Sequence, residues 1–263
     1  MREWAWIPSD SLRNLGYCGL MTSSNSPVIW VTGAGSGMGR AAAVAIAPGA
    51  RVVLSGRRPA ALEETAALVR QAGGEALPLE LDVTDAAAID RAHDRIVATW
   101  GPVSRLVLAA GLNSPKRAWA DQDLAEFESI VATNLTGVVR VVQAVLPGMR
   151  QARDGVIVII SSYAGWRLSS SPGVAYSASK VALSAIATTL NGQEAANGIR
   201  TTHLCPGDVN TDFLLMRPTV PDGEARATML AAEDIGRCVR FVIDSPAHVV
   251  VDELVISPTS QTR

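Results

Sequence analysis

From Val31 to Ala41 the chain reads VTGAGSGMGRA, with Gly33, Gly35, Gly37 and Gly39 spaced two apart. The stretch closes a β-branched run, VIWVT (Val28–Thr32), and opens an alanine-rich window with helical patterning, Gly37–Ala47. Glycines at such a junction let the backbone turn sharply and approach a diphosphate, and the first N–H groups of the helix add partial positive charge. Turns also collect glycine, so the surroundings decide the meaning.

Downstream, RVVLS (Arg51–Ser55), ALPLEL (Ala76–Leu81), RLVLAA (Arg105–Ala110), VIVIIS (Val156–Ser161), RTTHLC (Arg200–Cys205) and VVVDELVI (Val249–Ile256) read as further strands. Most are continuously apolar, as strands buried on both faces are. Helical windows lie between them: Ala60–Ala72, Ala86–Trp100, Asp121–Arg153 with a break near Asn134, Val174–Asn197 and Ala232–Asp244. Pro59 suits the first turn of its helix, and Thr84 or Asp85 can cap the next. Such alternation predicts an α/β fold: a doubly wound, Rossmann-type parallel sheet of about seven strands flanked by helices.

The 263 residues, 48 % of them hydrophobic, suit one domain with a large core. A net charge of −2 spread over interspersed residues gives no reason to expect a nucleic-acid partner. Cys18, Cys205 and Cys238 are too scattered for a disulfide framework or a zinc site, so no metal is expected and a cytoplasmic setting fits. No run approaches the ~18 apolar residues of a spanning helix, so no membrane partner is expected. Residues 1–26 lack a signal-peptide core and are expected to be a disordered extension before a domain spanning 27–263.

The second strand ends in LSGRRP, Leu54–Pro59. An acidic residue there would bond the adenosine ribose of NAD, whereas a 2′-phosphate needs positive charge. Gly56 followed by Arg57 and Arg58 favours NADP(H), with Arg57 on the phosphate, and leaves NAD(H) as a lesser option. Further on, AYSASKVA (Ala175–Ala182) holds one of only two lysines in a chain that otherwise uses arginine. Helical spacing sets Tyr176 and Lys180 on one face, and a compact ammonium beside a phenol favours the phenolate.

Taken together, Thr32-Gly33-x-x-x-Gly37-x-Gly39, LDV (Leu81–Val83), Asn134 in TNLTG, Ser162 in IISS, Tyr176-x-x-x-Lys180 and Pro206-Gly207 resemble the short-chain dehydrogenases/reductases from about Val28 to the C-terminus. The glycine spacing and length differ from those of the extended branch. The resemblance implies Tyr176 as general acid/base, Lys180 lowering its pKa and bonding the nicotinamide ribose, and Ser162 polarising the substrate oxygen. It implies that Asn134 kinks its helix and holds a relay water, and that Asp82, with Val83 beside it, meets the adenine. It also implies cofactor contacts from Ser36 and Met38 within the glycine turn, from Ala110 and Gly111, and from Pro206, Gly207, Val209 and Thr211. LAAG (Leu108–Gly111) departs from the family's Asn-Asn-Ala-Gly and loses polar braces, and Ser162 lies one residue further from Tyr176 than in many relatives, leaving Ser161 as a weaker candidate.

Substrate choice should lie in LNSPKR (Leu112–Arg117), YAGWRLSSS (Tyr163–Ser171) and a lid near 208–230, whose Leu214, Leu215 and Met216 are expected to face inward. The C-terminal SPAHVVVDELVISPTSQ resembles the branch that oxidises 3-hydroxy acids such as serine with NADP. The expected activity is hydride exchange between NADP(H) and a secondary alcohol or ketone, with a 3-hydroxy acid as one substrate class. The alternatives are a general carbonyl reductase of neutral ketones or a catalytically idle NADP-binding regulator. The resemblance also implies a homodimer or homotetramer.

Overall fold

The computed structural model describes residues 26–261. The extension expected over residues 1–26 therefore falls, but for Ser26, outside the described residues. The elements run β1 (Val28–Thr32), α1 (Gly37–Ala45), β2 (Arg51–Gly56), α2 (Pro59–Gln71), β3 (Glu75–Glu80), α3 (Ala86–Trp100), β4 (Arg105–Leu108), α4 (Leu124–Val131), α5 (Gly137–Ala152), β5 (Gly155–Ile160), α6 (Tyr163–Trp166), α7 (Val174–Glu194), β6 (Ile199–Pro206), α8 (Gly223–Ala227), α9 (Ala232–Asp244) and β7 (Glu253–Ile256).

One sheet orders its seven strands β3-β2-β1-β4-β5-β6-β7, and every pairing is parallel. Order reverses between β1 and β4, so the crevice at their carboxyl ends is where this topology binds ligands. Successive residues of β1 serve opposite faces. Trp30 packs into the layer formed with α3, α5 and α7, while Ile29 and Val31 pack into the layer of α1, α2 and α9. Trp30 is fully buried, and its Nε1 donates to Ser55 Oγ at 2.9 Å, so its one polar atom is satisfied.

Local chemistry sets the ends. Pro59 opens α2, and the Asp85 carboxylate accepts from Ala88 N at 3.0 Å to cap α3. β4 stops at Leu108, two residues before the expected end, because Ala109 N and Ala110 N turn to Thr32 Oγ1 at 3.2 and 3.4 Å. β7 is shorter than the expected Val249–Ile256 because Asn191, reaching from α7, takes both main-chain groups of Thr201, at 2.7 and 2.9 Å. The ladder with β7 therefore begins only at His203↔Glu253.

The break near Asn134 is a π turn, Ala132–Thr136, joining α4 to α5 without an interruption. The joined run, Leu124–Ala152, has a mean hydropathy of 1.5 over an 18-residue window and is long and apolar enough to cross a bilayer by length and composition, against the expectation for this chain. In this fold Val138, Val141, Val142, Val145 and Met149 spend that apolarity on the core.

Candidate active site

The β1–α1 turn brings backbone against backbone. Gly33 has φ +65°, and a Cβ there would sit 2.7 Å from Ala110 N; one on Gly39 would sit 2.2 Å from Gly33 O. Only glycine fits either position. The turn forms one wall of a cavity of about 320 Å³ that also takes in Arg57, Arg58, Asp82, Val83, Ala110, Gly111, Tyr176 and Lys180. Gly35, Ser36, Gly37 and Met38 line it as well. Arg58 donates to Ser36 Oγ at 2.9 Å, tying the end of β2 to the glycine turn, and Arg57 also lines the cavity. Burial works to raise the Asp82 pKa, yet hydrogen bonds from Thr84 N and Oγ1 at 2.9 and 2.8 Å, with the Arg57 charge, hold it below its ordinary value. An exposed pair of guanidinia, a backbone cradle free of Cβ atoms and a helix N-terminus make a donor set suited to a phosphorylated dinucleotide.

A second cavity, of about 340 Å³, lies beside the first, and Tyr176 stands in the wall they share with Met38, Ser161, Thr211 and Phe213. The Tyr176 ring centroid lies 6.0 Å from that of Phe213, and Lys180 Nζ is 5.7 Å from the Tyr176 centroid. Burial pushes the Tyr176 phenol above its usual pKa, while a hydrogen bond with Ser162 and the charges of Arg117 and Arg217 pull it back. The lysine expected to do this is itself pushed down to about 8 by burial, and its Nζ donates to Ile160 O at 3.2 Å. In this geometry Ser162 and the two arginines counter part of the effect of burial on the phenol, and the Lys180 ammonium stands beside the same ring.

Ser162 begins α6, where its Oγ accepts from Ala164 N at 3.2 Å. Ser161 is buried and donates to Lys180 O at 3.2 Å, which makes it a brace for α7 rather than a free donor. Asn134 lies outside both cavities, fully buried in the π turn. Its Oδ1 accepts from Leu112 N at 2.7 Å, and its Nδ2 donates to Leu112 O at 2.9 Å and Ser179 Oγ at 3.1 Å. Its direct bonds thus clamp the chain after β4 onto α7.

Pro206, Gly207 and Val209 line the second cavity, and Thr211 lines both. Arg117 is the hub of this side. Its Nε donates to Ser114 O at 3.0 Å, Nη1 to Ser171 O at 3.3 Å and Nη2 to Met216 O at 3.1 Å, so one side chain ties the three expected substrate loops together. Burial and the neighbouring Arg217 charge hold the Arg117 pKa below its ordinary value. Arg217 pairs with Asp208 at 2.5 Å, and both line the cavity together with Arg167. Leu214 faces inward as expected and Met216 lines the first cavity, but Leu215 is 63 % exposed. The short 3₁₀ helix Asp212–Met216 turns that side chain outward.

Sequence reasoning missed Phe213, the pairing of Asp208 with Arg217, and a cluster of His203, Cys205 and Glu253, whose ligating atoms lie within 4.8 Å of one another. The Cys205 sulfur is 3.3 and 3.7 Å from the two nitrogens of His203, which puts it over the ring face rather than along either lone pair. A shared metal ion would need the imidazole to rotate. Burial pushes the Cys205 thiol up to about 12.

Comparison with known proteins agrees with this geometry. An uncharacterized oxidoreductase of Listeria monocytogenes is 33 % identical over 255 residues, covering 92 % of this chain and 99 % of its own length. Sulfoacetaldehyde reductase 2 of Chromohalobacter salexigens is 34 % identical, covering 90 % of this chain and 96 % of its own. A variant of actinorhodin polyketide ketoreductase, solved with NADPH, superposes with a TM-score of 0.83 at 31 % identity, covering 90 % of this chain and 97 % of the ketoreductase. The family profile described as short chain dehydrogenase matches residues 27–218, and the chain belongs to that family.

Proposed function

We propose that the protein is an NADP(H)-dependent oxidoreductase acting on a small alcohol or the matching carbonyl compound that also carries an anionic group, such as a 3-hydroxy acid. The observation that carries this reading is the pair Arg117 and Arg217, which line one cavity with Tyr176 and Ser162.

NADP(H) would supply or accept the hydride. Arg57 and Arg58 would hold its 2′-phosphate and the glycine turn its diphosphate. Tyr176 donates a proton to the carbonyl oxygen in reduction and takes it back in oxidation, and Ser162, bonded to the same phenol, polarises that oxygen. Lys180, with a pKa near 8, stands one residue layer behind Tyr176 and can pass a proton near neutral pH. Arg117 and Arg217 orient the charged end of the substrate, so the reacting carbon is presented to Tyr176 from one direction.

Two of the similar proteins support the parts of this reading. The ketoreductase was solved with NADPH, and sulfoacetaldehyde, from the name of the Chromohalobacter enzyme, bears a sulfonate beside a carbonyl. The test is turnover of matched pairs with NADP(H): 3-hydroxybutyrate against an uncharged secondary alcohol, serine against an uncharged primary alcohol of similar size, and sulfoacetaldehyde against propanal. Preference for the charged members supports the reading. Equal or faster turnover of the neutral members leaves a general carbonyl reductase.

A further inference from the structure

We infer that Asp208 sets selectivity among anions by occupying the arginine that a substrate's charged end must take. The inference rests on the anion reading of the cavity given above. Arg217 comes from the lid segment and Asp208 from the loop after β6, and their side chains, 31 % and 39 % exposed, meet inside the cavity that holds Tyr176 and Ser162. Asp208 is fixed from behind. Its N–H donates to Gln261 Oε1 at 3.1 Å, and its carbonyl accepts from Leu230 N at 3.0 Å, so its main chain is held while the carboxylate can turn only about its own side-chain bonds.

The charges lining the cavity are unequal. Arg117, Arg167 and Arg217 stand against Asp208, and Arg117 spends its donors on three carbonyl oxygens rather than on a carboxylate. An incoming carboxylate or sulfonate can make two parallel bonds to a guanidinium. At Arg217 one Nη2 bond already goes to Asp208, so an incoming anion either displaces that carboxylate, which then turns to water, or binds beside it, and in both cases meets its charge. An uncharged ligand leaves the pair intact and meets no such opposition. Weakly binding inorganic anions are therefore kept off Arg217, and only an anion with further contacts beside Tyr176 displaces the carboxylate. Because Arg117 holds the main chain at Met216, the exchange at Arg217 does not require the lid to detach.

The test measures binding of methanesulfonate and of its neutral isostere methanesulfonamide to the NADP⁺-saturated protein by calorimetry, in wild type, Asp208→Asn, Asp208→Ser and Asp208→Glu. Removing the carboxylate should tighten methanesulfonate by about tenfold and leave the sulfonamide unchanged, and the glutamate variant should restore the wild-type ratio. If either neutral variant unfolds, judged by thermal melting, the other decides, since serine and asparagine both keep the main-chain bonds. A wild-type preference for the anion that is unchanged or reduced in the neutral variants overturns the role of Asp208 alone. Equal tightening of both ligands would mean general loosening of the lid and also overturns it. No preference for the anion in wild type or in either neutral variant overturns the anion reading itself, and the role of Asp208 falls with it.

Discussion

The glycine turn between β1 and α1 and the segment from Asp208 to Leu230 meet at Thr211, whose Cγ2 would lie 3.3 Å from a Cβ on Gly37, yet they are held by opposite means. On the turn side, backbone packs on backbone, and neighbouring contacts are main-chain or single short bonds such as Thr32 Oγ1 to Ala109 N. On the lid side, two guanidinia hold the loops: Arg117 through carbonyl oxygens and Arg217 through a part-exposed carboxylate. Close backbone packing has no alternative partner and tolerates no added atom, whereas an ion pair open to water can trade one anion for another. A dinucleotide with an unchanging diphosphate suits the first design, and a variable substrate suits the second.

The largest expected effect falls on the residue the two regions share. Tyr176→Phe keeps the ring against Phe213 and removes the transferable proton, so kcat should drop by a factor on the order of 10³ or more while the NADPH dissociation constant stays within a few-fold. Activity near wild type would mean that the two regions do not converge on this phenol. Gly33→Ala attacks the rigid side, adding a Cβ 2.7 Å from Ala110 N at φ +65°. It should cost about 3 kcal/mol in denaturant unfolding and weaken the cofactor, and a stability equal to wild type would show that the turn has room to spare.

Lys180 offers a prediction in pH. Its folded-state pKa of about 8 lies below its ordinary value of 10.5, so below pH 8 the native state carries a buried ammonium at a penalty, and the penalty fades as pH rises from 8 through 10.5. Lys180→Met should accordingly raise stability at pH 7 by about 2 kcal/mol while abolishing turnover, with the stability gain shrinking toward pH 10. A gain that does not change with pH would assign it to packing instead.

Two smaller effects separate the regions by ligand. Arg57→Asp should weaken NADPH by about 10- to 100-fold and NADH far less, as read by titrating both cofactors. Equal losses would remove Arg57 from the phosphate. Arg217→Met should raise KM for anionic substrates by about 5- to 10-fold and spare neutral ones, because it takes away a guanidinium that water already screens. A change in kcat for both classes would show that the arginine holds the lid rather than the substrate.

Sequence patterning located α3 and α9 to the residue, since Asp85 provides a cap for the first and both carry a clear apolar face. It overran β4 and β7, where the deciding contacts come from Thr32 and Asn191, residues on other elements with no signal beside the strand. The helix break at Asn134 was legible as a break, but its form, a π turn carrying a side chain that clamps Leu112, depends on a loop residue 22 positions earlier. The outward turn of Leu215 escaped the apolar reading of its segment because a 3₁₀ helix places successive side chains about a third of a turn apart.

The order of the strands and helices, the glycine turn and the spacing of Ser162, Tyr176 and Lys180 were determined by the sequence itself. Each rests on periodicity, on a backbone angle only glycine adopts, or on neighbours within one helix or loop, and such short-range physics is written in adjacent residues. Tertiary structure alone decided how the charges pair. It set Arg117 beside carbonyl oxygens 54 and 99 residues away, brought Arg217 onto Asp208, and added the charges of both arginines to the surroundings of Tyr176. Coulomb interactions and burial depend on distance through space and on the water excluded between groups, and neither quantity exists until the loops have closed over the sheet.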